Sequence, residues 1–183
     1  MVALCIVIVV VLLIIIYILV TYNSLIKLRN MTGEAFSTMD VYLKKRWDLI
    51  PNLVEVVKGY AKHESSTFEK IASLRSSPYD SMSSRDKIDS NEELTSQISR
   101  IFAIAENYPE LKASQNFSEL SAGLIKIEDD IAQSRKYYNA VVKKMNNKVE
   151  MFPSNIIAGM FGFKQSKMFE AELEARANVE VKL

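Results

Sequence analysis

One cysteine, one histidine, five glycines and four prolines are all that the 183 residues contain of those types. The lone Cys5 excludes an internal disulfide framework and any C-x-x-C metal or redox motif. The lone His63 excludes a His-rich metal site. His63-Glu64 does not begin an H-E-x-x-H motif either, because Thr67 stands where the second histidine is needed. So few turn-forming residues disfavour a sandwich or barrel with many tight connections. An excess of one charge is missing too: 23 Lys and Arg face 22 Asp and Glu, so no global field points to nucleic acid. No Ser–His pairing and no Gly-rich phosphate loop is present, and the sequence suggests no catalytic residue, cofactor or metal.

What the sequence does have is an apolar run. From Val2 to Val20 no residue is charged, and 16 of the 19 positions are Val, Ile or Leu. As a helix it extends about 28 Å at 1.5 Å per residue, close to the ~30 Å hydrocarbon thickness of a bilayer. At ~0.3 to 0.6 kcal/mol per apolar residue, insertion gains roughly 5 to 10 kcal/mol at most. A cleaved signal peptide needs a basic leader, a shorter core and a small-x-small site, and none of these is found. A lipoprotein signal places its cysteine after the core, whereas Cys5 precedes most of it. The run is therefore expected to be an uncleaved transmembrane helix over residues 1–21, with Cys5 an inert apolar side chain or, as the alternative, a site of reversible acylation. Lys27, Arg29, Lys44, Lys45 and Arg46 follow the span, so the positive-inside rule places residues 22–183 in the cytoplasm and the N-terminus outside, in the inner membrane of the cell.

Helical periodicity continues past the span. Phe36, Met39, Leu43, Trp47, Ile50, Val54, Val57 and Ala61 recur at steps of three and four, and Leu49, Leu53, Val56 and Tyr60 form a second stripe. A helix apolar on two faces belongs inside a bundle. Pro51 removes a backbone donor and crowds the carbonyl of Trp47, yet the periodicity passes through it in phase, which predicts one kinked helix over about 22–75. Residues 76–89 read as a loop. Ser90-Asn-Glu-Glu93 has the form of a capping box, predicting a second helix over 90–106. Phe117, Leu120, Leu124, Ile127, Ile131, Tyr138, Val141, Met145 and Phe152 predict a third over 114–151, with a coiled-coil-like stripe. Ser154 caps a fourth, expected over 154–177 and interrupted at Gly159 and Gly162. The expected fold is thus all-α: an N-terminal transmembrane helix continuing into the long, Pro-kinked first helix of an antiparallel up-and-down bundle.

Polar residues beside the stripes are the candidate site. Arg46, Asp48 and Asn52 flank those of the first helix, and Arg135 and Asn139 flank that of the third. Their expected role is an inter-helix network that fixes register, with a partner or ligand site as the alternative. Glu128-Asp129-Asp130 reads as a solvated face, because adjacent helical residues diverge by about 100°. Lys44-Lys45-Arg46 reads as a solvated or ion-paired face rather than a lipid-phosphate contact. Phe161-Gly162-Phe163 reads as a core plug, with a membrane wedge as the alternative.

Five blocks in order, TYNSLIKLRN (21–30), EAFSTMDVYLKKRWDLIPNLVEVVKGYAKHE (34–64), YPELKA (108–113), RKYYNAVVKKMN (135–146) and FPSNIIAGMFGF (152–163), resemble those of the LemA family. Phe36 stands where the family usually has Trp, and Met145 where it usually has Tyr; both are apolar exchanges. The resemblance implies a bacterial single-pass membrane protein with its helical bundle in the cytoplasm and no established enzyme activity. It also implies relatives that shape or organise membranes, including in magnetosome formation, and relatives encoded beside membrane proteases. Two functions follow as expectations. One is a non-enzymatic scaffold that contacts membrane lipid and forms a homo-oligomer. The other is an accessory or adaptor module for a membrane protease or another membrane partner.

Overall fold

The computed structural model of the chain describes residues 1–169, and no strand occurs among them. The all-α fold expected from periodicity is the fold observed. α1 runs Val2–Tyr60, α2 Ser65–Leu74, α3 Ser84–Glu106, α4 Pro109–Lys112, α5 Gln115–Glu150 and α6 Ser154–Met160, with a 3-10 turn at Tyr79–Ser81. The apolar run and the first bundle stripe therefore belong to one helix, which passes through Pro51 without a break. Apart from Ile18, the large apolar side chains of the run are exposed, as a lipid-facing helix requires.

Three boundaries differ from expectation. The first helix ends at Tyr60 rather than near Arg75, and α2 follows a turn closed by Glu64 N–H donating to the Ala61 carbonyl at 3.3 Å. Phe68 and Ile71 keep the phase of Val54, Val57 and Ala61, so periodicity hides the break. The break covers only residues 61–64, just behind Gly59, the weakest helix former in this stretch. α2 then packs on α3 and buries Thr67, Phe68 and Ile71. Secondly, α3 starts at Ser84 and not at Ser90. Ser83 is its cap: Ser83 Oγ accepts from Asp86 N–H at 3.2 Å, and Asp86 Oδ2 accepts from Ser83 N–H at 3.3 Å. The earlier start brings Ile88 and Asn91 onto the stripe of Leu94, Ile98 and Ile101. Thirdly, α6 stops at Met160. Gly162 adopts φ +70°, Gly162 N–H reaches the Gly159 carbonyl at 3.3 Å, and Phe163 N–H reaches that of Ala158 at 2.9 Å. This is a Schellman ending, which needs the left-handed glycine. The rest of the expected 154–177 helix, from residue 170, lies outside the described residues.

The chain forms two compact units. The central unit is Gly33–Tyr137. Its core takes Met39, Leu43, Trp47, Ile50, Leu53 and Val57 from α1, Ile88, Leu94 and Ile101 from α3, and Leu124 and Ile131 from α5. The terminal unit combines Met1–Thr32 with residues 138–169 of the described chain. In it Leu25, Met145, Ile157 and Ala158 form a core, with Ile18, Tyr22, Leu28, Val149 and Phe163 packed around them.

Candidate functional site

Arg46 lies on α1 one residue before Trp47, and its side chain is completely buried. A guanidinium there needs its charge and most of its donors matched; both Nη groups of Arg46 are, while Nε has no partner. Nη1 donates to Glu128 Oε1 and Oε2 at 2.8 and 2.9 Å and to Thr95 Oγ1 at 3.0 Å. Nη2 donates to the Asn91 carbonyl at 2.8 Å and to Asn91 Oδ1 at 2.7 Å. Asn91 is aimed by its own Nδ2, which donates to the Lys87 carbonyl at 2.8 Å. One cation thus joins α1, α3 and α5 of the central unit. A register shift by one residue of any of the three helices would leave it unmatched.

A second cluster adjoins it in sequence. Asp40 Oδ1 accepts from Tyr79 Oη at 2.6 Å and Asp40 Oδ2 from Lys87 Nζ at 2.7 Å, while that ammonium lies 4.5 Å from the Tyr79 ring centroid. Burial first, and then the hydrogen bond and negative charge of Asp40, push the Tyr79 hydroxyl well above its ordinary value of 10.0; Arg46 and Asn91 oppose this. Tyr79 also packs on Trp47, with ring centroids 5.3 Å apart. The guanidinium of Arg75 covers Trp47 at 4.7 Å and donates through Nη1 to the Trp47 carbonyl. That carbonyl is the acceptor that Pro51, lacking an N–H, leaves without its helical donor. Arg75 supplies the missing donor. Burial lowers the pKa of Arg75, and the charge of Asp48 works against the shift.

The five candidate residues lie at different places in the fold. Arg46 is the hub, but its partners are Asn91, Thr95 and Glu128. Asp48 pairs with Lys44 at 2.7 Å on the exposed face. Asn52 borders a shallow trough with Leu49, Val56 and Leu120. Arg135 is half-buried on α5, one turn beyond Ile131. Asn139 belongs to the terminal unit, where its amide brackets Phe169: Nδ2 donates to the Phe169 carbonyl at 2.9 Å, and Oδ1 accepts from Phe169 N–H at 3.0 Å. Asn146, seven residues on, brackets Ser166 in the same way at 3.0 and 2.9 Å. Glu128, expected on a solvated face, is the counter-ion of Arg46, whereas Asp129 is exposed. The Lys44-Lys45-Arg46 face is ion-paired at Lys44 and Arg46. Phe163 plugs the terminal core as expected, whereas Phe161 stays half outside.

Among the described residues no three His, Cys, Asp or Glu side chains gather as they would around a metal ion. The geometry is that of a cross-braced helical bundle whose first helix begins in a membrane-length apolar stretch, and this defines the class: a membrane-associated all-α protein. The chain belongs to the LemA family, whose model matches residues 35–183. It is 28% identical over 164 residues to Protein LemA of Metamycoplasma hominis, covering 86% of this chain and 73% of that one. It is 23% identical over 179 residues to Magnetosome protein MamQ 2 of Paramagnetospirillum magneticum, covering 84% of this chain and 66% of that one. Magnetosome protein MamQ of Magnetospirillum gryphiswaldense is 22% identical over 178 residues, with 83% and 65% covered. The chain thus spans just under two thirds of the length of these magnetosome relatives.

Proposed function

We propose that this protein is a non-enzymatic scaffold, anchored in the membrane by residues 2–20, that works by packing against copies of itself at the bilayer. The carrying observation is α1: one helix holds both the exposed apolar stretch and the first stripe of the central core. Its second stripe supports lateral packing. Leu49 and Val56 are only half-buried, Tyr60 is exposed, and Leu49, Val56 and Leu120 border a trough rimmed by Asn52, Glu55, Asn116 and Glu119, open to a neighbouring helix. Similarity to proteins named for the magnetosome supports a role in organising membrane. Basic residues support a cytoplasmic bundle in the inner membrane, since Lys27 and Arg29 follow the apolar run and Lys143, Lys144 and Lys148 lie in the same unit.

Full-length protein in mild detergent should have a protein mass that is a multiple of the 20.8 kDa chain by light scattering. A mass of one chain at all concentrations would refute self-association and favour the adaptor reading, in which the bundle serves a membrane protease or another membrane partner.

A further inference from the structure

We infer that the turn Met151–Pro153 together with α6 is a second membrane contact, lying in the headgroup layer beside the exit of α1. The inference rests on the proposed insertion of residues 2–20. α6 is apolar on two sides. Ile157 and Ala158 face inward onto Leu25 and Met145. On the outside, Phe152 is 79% exposed, Met160 69%, Met151 61%, Ile156 54% and Phe161 51%. Ile156 and Met160 are four residues apart on the helix and share its outer face. A cluster of five large apolar side chains turned outward calls for a covering surface.

Location identifies that surface as lipid. Ile18 and Tyr22 pack against the core that Ile157 and Ala158 of α6 share with Leu25, and the Phe161 ring lies 4.7 Å from that of Tyr22. Ile18 falls within the apolar run and Tyr22 two residues past it. At 1.5 Å per residue, both lie within about 3 Å of where the hydrocarbon ends. Aromatic and apolar side chains at that depth, bordered by cations, suit the boundary between acyl chains and headgroups. The cations are present: Lys27, Arg29, Lys143, Lys144, Lys148 and Lys164 belong to this unit, and its one acidic side chain among the described residues is Glu150. Such a set would repel its own image on a second copy, whereas anionic phospholipid neutralises it. The short helix thus adds an interfacial foothold to the span.

The test uses the full-length chain with Cys5→Ala and one environment-sensitive fluorophore on a new cysteine. Ile156→Cys and Met160→Cys report on α6, Ile14→Cys on the span, and Gln133→Cys on an exposed position of the central unit. The carriers are vesicles of phosphatidylcholine with phosphatidylglycerol, containing lipids spin-labelled either near the carbonyls or near the chain ends. The probes at 156 and 160 should emit to the blue of the probe at 133 and be quenched more by the shallow label than by the deep one. The probe at 14 should show the reverse depth preference. Water-like emission at 156 and 160 with quenching at 14 would overturn the inference and leave insertion intact. Blue-shifted emission without quenching by either lipid would mean that a second copy covers the face, which also overturns it. No quenching at 14 would refute insertion and the inference with it.

Discussion

The central and terminal units draw on the same two long helices and treat charge and apolar surface in opposite ways. Residues 33–137 carry seventeen Asp and Glu against fourteen Lys and Arg, and this unit takes one cation fully inside, where α3 and α5 supply its partners. The described terminal unit carries seven Lys and Arg against Glu150 alone, and leaves Phe152, Ile156 and Met160 outside. A near-neutral chain therefore conceals two surroundings. The central unit is built as for water, with its main apolar stripe inward and the buried cation held by a counter-ion. The second is built as for an interface, where exposed apolar side chains and cations are both favourable.

Breaking the match inside the central unit should cost most. Glu128→Ala leaves the buried Arg46 guanidinium without its counter-ion and should lower stability by about 3 to 5 kcal/mol, read from the denaturant midpoint of helicity in detergent. Leu124→Ala and Ile131→Ala, each opening a cavity at a buried position of α5, should each cost about 2 to 5 kcal/mol by the same measurement. Arg75→Ala removes the donor on the Trp47 carbonyl and should cost about 1 to 3 kcal/mol. The loss should shrink in a Pro51→Ala background, because residue 51 then supplies the helical N–H itself; equal losses in both backgrounds would show that the Arg75 bond does not compensate for Pro51.

Tyr79 gives a pH signature. Its pKa is raised on folding, so its stabilising contribution is complete below 10.0 and is lost as pH climbs from there towards the folded value. This one group can lower stability by at most about 1.4 kcal/mol per pH unit in that window, and Tyr79→Phe should flatten an alkaline titration of stability by that amount. The smallest effect sharpens the contrast. Ile156→Ser, on the exposed face of α6, should change stability by no more than about 0.5 kcal/mol while shifting the emission of a probe at position 160 to the red in anionic vesicles.

Much of this was legible in the sequence because burial imposes periodicity. The third helix, expected over 114–151, is α5 at Gln115–Glu150, and its stripe lies at buried or half-buried positions from Phe117 to Met145, whereas Phe152, its last expected member, falls past the helix end and is exposed. The break after Tyr60 was not legible, since Phe68 and Ile71 stay in phase with Val57 and Ala61. The site was half legible. Arg46 stood out as a cation among apolar residues, but its partners lie 45 to 82 residues away, and nothing local marks Asn91 or Glu128 as facing it. Asp48 and Asn52 resembled Arg46 in flanking the stripe, yet one helical turn separates a buried edge from an exposed one. Ser83 and Ser90 both head a capping pattern, and long-range packing of Ile88 and Asn91 decides between them.

The central claim, that the chain works as an assembly in the bilayer, is tested most directly by counting chains there. Full-length protein with one dye per chain would be reconstituted into vesicles at falling protein-to-lipid ratios, and the photobleaching steps of each spot counted. Several steps per spot, persisting as lipid is added, is the result this account predicts. Single steps throughout, reached while the protein is still membrane-bound, would contradict it.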